Sequence, residues 1–256
     1  MEKIIPSAIV IILLALLCVW VITFIKKKKL ENFKKLKSLP INLPEGFTYT
    51  AHTGCVGTRD NSLEAIETGA QYGADIVEFD LNFTKEGKPV LSHDKPKGGE
   101  VTLDEAFKKI SEFEKLKVNV DLKSCVNLET IIPLAEKHNI KDRIFFTGVT
   151  LSDVETVKKA CPDIDYYLNY SVAKPEKQTD EYLQSIADKV RNCGAVGINF
   201  NKDNATKRLV DKFHENGLLV SIWTVNNEKG MYKILHLSPD NITTRNPDIM
   251  NRILKK

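Results

Sequence analysis

The sequence predicts a (β/α)8 barrel preceded by a single transmembrane helix. Three observations lead there: an uncharged apolar run near the N-terminus, eight β-branched or aromatic runs alternating with amphipathic stretches, and unusual polar residues where those runs end. The apolar run, Ile4–Ile25, reads IIPSAIVIILLALLCVWVITFI and holds no charge. About 20 apolar residues suffice to cross a bilayer as a helix. The run exceeds a secretory-signal core and lacks a small-residue cleavage pattern, and Leu16-Leu17 before Cys18 makes a poor lipoprotein processing site. An uncleaved anchor is expected.

The flank from Lys26 to Pro40 carries seven lysines against one glutamate. Lysine excess marks the cytoplasmic side of a span, which puts the C-terminal domain inside the cell. An extracytoplasmic domain behind a signal anchor is the alternative. The same segment suits anionic headgroups, so the bilayer itself is an expected partner. Residues 1–39 hold eight lysines and two glutamates, a charge of +6; the whole chain is +3, so the remainder is −3. The basic character thus belongs to the membrane-proximal segment, and a nucleic-acid surface is not expected. Cysteines 18, 55, 125, 161 and 193 show no Cys-x-x-Cys spacing and are odd in number, as free thiols in a reducing compartment would be. The oligomeric state is not legible. The expected organisation is an anchor with its basic flank over 1–29, a basic linker over 30–46 and a barrel over 47–256.

Strands are expected at 47–51, 75–81, 117–122, 143–148, 165–170, 195–200, 218–225 and 241–244. Helical patterns fall between them at 62–72, 103–113, 128–138, 151–160, 181–192, 205–215 and 228–235, and 249–254 closes the chain. Eight such units close into a parallel barrel. GKPVLSHD is an extra strand joined to the second by the polar turn TKEG. A doubly wound open sheet would fit the alternation too, but no Gly-x-Gly-x-x-Gly follows the first strand.

In a barrel of this kind chemistry sits where strands end. In VEFDLNF, Glu78 and Asp80 point the same way at a period of two. An ordinary half-exposed strand gives that alternation as well, with both acids in water. His52 ends the first strand, His93 and Asp94 the extra one, and Asp121 and Lys123 the third; Asp60 and Asn61 open the first helix. Four carboxylates, Asp60, Glu78, Asp80 and Asp121, offer hard oxygen ligands to Mg2+ or Ca2+. Without a cation, acids packed together would raise one another's pKa or move apart. Two strand-end histidines suit a general base facing a general acid, and a lysine beside them suits a phosphate. A capping role for Asp60 and Ser62, and an exposed strand end for Lys123, are the plainer alternatives. Taken jointly, the set fits metal-assisted phosphodiester cleavage.

The stretches HTG, DNS, EFD, SHD, DLK, WTVNN and DNITTRNPDIM, in this order, resemble the glycerophosphodiester phosphodiesterase family of (β/α)8 hydrolases from about Phe47 onward. That family shows His-Arg-Gly, Glu-Asn-Thr, Glu-x-Asp, His-Asp, Glu-x-Lys, Trp-Thr-Val-Asn and Asp-Gly-Ile-x-Thr-Asp-x-Pro. The resemblance implies His52 and His93 as the catalytic pair and a divalent cation on Glu78, Asp80 and Asp121, with Asp60 at a helix-opening acidic ligand position. It implies that Lys123 contacts phosphate and that Trp223 lines the substrate pocket, while Asn61 and Asp94 shape the site.

Three departures stand out. Thr53 replaces an arginine that contacts phosphate, with Arg59 or Lys95 as candidate replacements. Asp replaces Glu at 60 and 121. The segment after Asp94 passes almost directly into the next helix where the family inserts a capping region, so an open mouth is expected. The leading expectation is a membrane-anchored phosphodiesterase acting on small glycerophosphodiesters or lysophospholipid-type lipids. A phospholipase-D-like lyase forming a cyclic phosphate, and a barrel that binds without turnover, are the alternatives.

Overall fold

A computed structural model describes residues 4–255, and the chain divides into two units between residues 41 and 42. In the first unit, helix α1 (Ile4–Ser38) is continuous. Its Ile9–Ser38 portion is long and apolar enough to cross a membrane. Residues 30–38, expected as linker, continue the helix because nothing between Pro6 and Pro40 breaks it and lysine and leucine are good helix formers. The Lys37 ammonium lies over the Phe33 ring one turn away.

The second unit is a closed barrel. Its parallel strands are β1 (Thr48–Ala51), β2 (Ile76–Phe83), β4 (Lys117–Leu122), β5 (Ile144–Val149), β6 (Tyr166–Asn169), β7 (Gly197–Asn201), β8 (Leu219–Trp223) and β9 (Asn241–Thr244). Each pairs with the next, and β9 and β2 both pair with β1 to close the ring. The extra strand β3 (Pro89–Leu91) runs antiparallel on β2. Because Phe83 pairs with Pro89, β2 extends two residues beyond the expected Leu81.

Helices α2 (Leu63–Gln71), α3 (Leu103–Ser111), α4 (Ile131–Lys137), α5 (Val154–Ala160), α6 (Asp180–Cys193), α7 (Lys207–Glu215), α8 (Glu228–Leu235) and α9 (Pro247–Leu254) surround the barrel. Ser62, Thr179, Thr206 and Asn227 cap their helices through side-chain oxygens, and Thr102 with Glu105 forms a capping box. The stretch expected from Leu128 opens as a 3-10 turn before α4. The last helix starts at Pro247, two residues early, because proline at the first helical position has its φ already set.

Alternate residues of each strand divide the barrel wall. Phe79, Leu81, Val118, Val120, Ile198, Phe200, Val220 and Ile222 are fully buried with the helices' apolar faces, as Phe79 against Phe107 shows. Each such side chain contributes about 1.5–3 kcal/mol. The other set is polar and also buried: Thr50, Asn119, Thr147, Asn199, Ser221, Asn241 and Thr243. Several bond one another: Asn241 bonds Thr48, Thr50 and Ser221, and Thr147 Oγ1 lies 2.9 Å from Asn119 Oδ1. A polar barrel interior, unusual beside apolar barrel cores, floors the site.

The connection from Ser92 to Thr102 is short but ordered. The Glu100 carboxylate accepts from the amides of Lys97 and Gly98, and Leu91 donates to the Val101 carbonyl.

Candidate active site

Strand register builds the site. In the parallel pairing of β2 with β4, Glu78 lies opposite Asn119 and Asp80 opposite Asp121; β5 then sets Thr147 opposite Asp121. Glu78, Asp80 and Asp121 each offer an oxygen within 4.8 Å of the others. Asn61, at φ 56°, turns the β1–α2 loop so that its side chain clasps Asp80: Nδ2 donates to the carboxylate at 2.8 Å and Oδ1 accepts from the Asp80 amide at 3.0 Å. The Thr53 amide donates to Glu78 at 2.8 Å, and the Thr53 hydroxyl is committed to Asn61. Thr147 donates to Asp121 at 2.6 Å.

Burial, then the Asp80 and Asp121 charges, push the Glu78 carboxyl well above its usual range. Lys123 reaches Asp80 at 3.0 Å and Asp121 at 2.5 Å. Burial works against its charge, but the Asp121 and Asp80 carboxylates outweigh burial and raise its pKa above the ordinary value. Three buried or half-buried acids beside one ammonium, with Glu78 resisting ionisation, offer the hard, converging, undercompensated oxygens that a divalent cation takes. The residues present fit such an ion.

His52 and His93 line one cavity of about 470 Å3 together with the acidic cluster, Lys123 and Trp223. His52 Nδ1 lies 3.0 Å from the Thr53 carbonyl oxygen, which can only accept, so Nδ1 carries the proton and Nε2 is the free base. Burial is the main cause that lowers its pKa below 6.5. His93 is exposed at the rim, its Nδ1 3.0 Å from Asp94 Oδ1. The hydrogen bond from His93 holds Asp94 below the usual carboxylate range.

Two expected site residues stand outside the three-acid group. Asp60 lines the same cavity, but its carboxylate receives Arg245 Nη1 at 2.6 Å and Nη2 at 3.0 Å, and that guanidinium pulls its pKa down. Arg59 does not line the main cavity. It borders a neighbouring groove with Asp60, Asp94, Lys95 and Lys97. The arginine that enters the cavity is Arg245, just past β9. Its segment, DNITTRNP, has arginine where the quoted family pattern has aspartate, the one signal that pointed to it. The floor residues Asn169 and Asn199 were not anticipated either. Among the described residues, the buried polar atoms left without a partner are Asn199 Oδ1 and Trp223 Nε1, both from residues lining this cavity.

Gly54, at φ 70°, leaves room for the Asp60–Arg245 pair. A Cβ there would come 1.8 Å from Asp60 Oδ1 and 2.7 Å from Arg245 Nη1. Gly54→Ala is expected to lower stability by about 1–3 kcal/mol in urea melts and to displace the Asp60–Arg245 pair.

A parallel barrel with histidines, acids and a lysine converging at the C-terminal ends of its strands defines a barrel hydrolase. The profile of the glycerophosphoryl diester phosphodiesterase family matches residues 46–119 and 96–249, and the chain belongs to that family of phosphoric diester hydrolases. A glycerophosphodiester phosphodiesterase of Caldanaerobacter subterraneus is 23% identical over 235 residues, 77% of this chain and 93% of that protein. A mouse lysophospholipase D is 36% identical over 75 residues, 29% of this chain and 21% of that one. An Oleispira antarctica phosphodiesterase, solved in complex with the product sn-glycerol-3-phosphate, superposes with a TM-score of 0.69 at 19% identity, covering 84% of this chain and 98% of that one.

Proposed function

We propose that the protein is a membrane-anchored, divalent-cation-dependent hydrolase of glycerophosphodiesters, releasing sn-glycerol 3-phosphate and an alcohol. The observation that carries this reading is the single cavity shared by His52, His93, the three carboxylates and Lys123. Glu78, Asp80 and Asp121 hold the cation, Mg2+ or Ca2+, which neutralises charge on the phosphate when bound. His52, neutral and with Nε2 free, takes the proton of the attacking water. His93, its ring fixed by Asp94, gives a proton to the departing alkoxide as the phosphorus–oxygen bond breaks. Lys123 offers its ammonium to the phosphate. Asn199 Oδ1 as acceptor and the Trp223 N–H as donor suit a hydroxyl group, which is both, and so favour a polyol headgroup.

Lysophospholipid-type diesters are the second reading. The short 92–102 connection and the match to a lysophospholipase D favour it. If a substrate hydroxyl attacks in place of water, a cyclic phosphate accumulates, which phosphorus NMR of the products detects. Incubating the full chain with glycerophosphocholine and lysophosphatidylcholine, with Mg2+ or Ca2+, tests both; turnover of no diester removes the reading.

The acid limb of kcat/KM, at saturating cation, is expected below pH 6.5. A lowered His52 pKa keeps the base neutral to lower pH than an ordinary histidine would allow. Residues 42–256 alone are expected to fold and remain in the soluble fraction, while the full chain sediments with membranes. The lysines after the span favour a cytoplasmic barrel; protease accessibility of the barrel in sealed membrane vesicles of known sidedness checks this.

A further inference from the structure

We propose that Arg245 is a phosphate-binding cation of this site, an assignment resting on the phosphodiester reading above. Its guanidinium lines the cavity that holds both histidines and the acidic cluster, and it lies against the Gly54 backbone beside His52. The backbone beneath it is fixed on three sides. Thr244 O accepts from His52 N at 2.8 Å, Arg245 O accepts from Val56 N at 2.8 Å, and Arg245 N donates to Asn226 Oδ1 at 2.8 Å. A cation held this firmly at a cavity wall is pre-organised.

Charge distribution separates it from Lys123. Lys123 is shared by Asp80 and Asp121, so much of its charge is already balanced within the cluster. Arg245 meets one carboxylate, Asp60, at ion-pair distance among the described residues. That bidentate contact uses two of the five N–H donors of a guanidinium and leaves three. Asp60 is about half exposed and Arg245 about one-third, so the pair stands at the mouth, open to a ligand. Thr53 does not compete for the role, since its buried hydroxyl is engaged by Asn61. A planar fork with free donors beside a general base suits a phosphate's non-bridging oxygens.

The competing account is that Arg245 is a strut tying the β1–α2 loop to the end of β9 through Asp60. Two variants distinguish them. Arg245→Ala removes both cation and strut, whereas Asp60→Asn removes the strut and leaves the cation. Calorimetric titration of the full chain in detergent with sn-glycerol 3-phosphate and with inorganic phosphate, at fixed Mg2+, reads the difference. Arg245→Ala is expected to weaken sn-glycerol 3-phosphate binding about 10–100-fold, Arg245→Lys less, and Asp60→Asn by no more than about fivefold.

Equal losses in Arg245→Ala and Asp60→Asn would overturn the assignment in favour of the strut, and unchanged binding in Arg245→Ala would overturn it outright. Absence of wild-type binding to either anion would do the same. Melting curves accompany each variant, and if Arg245→Ala does not fold, Arg245→Gln is judged by the same ratio. Should the wild type cleave no diester while Arg245→Ala still loses sn-glycerol 3-phosphate, the hydrolase reading falls and the anion site stands.

Discussion

Replacing His52 by alanine is expected to lower kcat on glycerophosphodiesters by about 10²–10⁴-fold, and His93→Ala to do the same, because each removes one proton transfer from the transition state. Binding of sn-glycerol 3-phosphate should change far less than turnover in either, since Arg245, Lys123 and the cation carry most of the charge that holds the phosphate. The two variants should differ in their rescue. Exogenous imidazole reaches the exposed His93 position far more readily than the His52 position, whose side chain is 24% exposed. The double variant should be scarcely slower than either single one, because groups that act as a unit are not additive. Activity in all three equal to the wild type would end the acid–base assignment.

The second large effect concerns the acidic cluster and has opposite signs for activity and stability. Glu78→Gln should abolish cation binding measured by calorimetry and reduce turnover at least about a thousandfold. A bound cation supplies several kcal/mol of charge stabilisation, and each 1.36 kcal/mol is tenfold. In chelator, the same variant should melt higher than the wild type. Glu78 has its pKa raised by burial and by Asp80 and Asp121, so its ionised form opposes folding. The sign follows by linkage: the cost is present above the unfolded carboxylate value of 4.5 and vanishes below it. The stability gain should therefore be seen at pH 7 and shrink towards pH 4. A glutamine still accepts the Thr53 amide, so no hydrogen bond is lost on that side. A variant that is less stable than the wild type in chelator at pH 7 would contradict this account of the cluster.

Much of the barrel is legible from local pattern. Glu78 and Asp80 share a face because strands have a period of two, and the caps at Ser62, Thr102, Thr179 and Thr206 mark where helices start. Asn61 was legible as a local organiser, and it clasps Asp80. What the sequence concealed depends on closure. Arg245 meets Asp60 across 185 positions only because β9 pairs with β1, and no local pattern reports which loops end up side by side. Arg59 and Lys95 are the cations that the local sequence offers for the missing family arginine, and both border the neighbouring groove instead of lining the main cavity. The basic stretch after the span read as linker from its charge, yet lysines extend a helix as well as they decorate a loop.

Residue-for-residue alignment of β2 with β4 also governs how this enzyme can vary. Deleting a single position inside either strand would exchange inward and outward sides, sending carboxylates towards the helices and Phe79 or Val120 into the polar cavity. Point changes there should produce graded defects, whereas insertions and deletions should be all-or-none. Length polymorphism compatible with turnover is therefore confined to connections such as the one between Ser92 and Thr102, and a deletion scan across residues 76–122 would map that boundary directly.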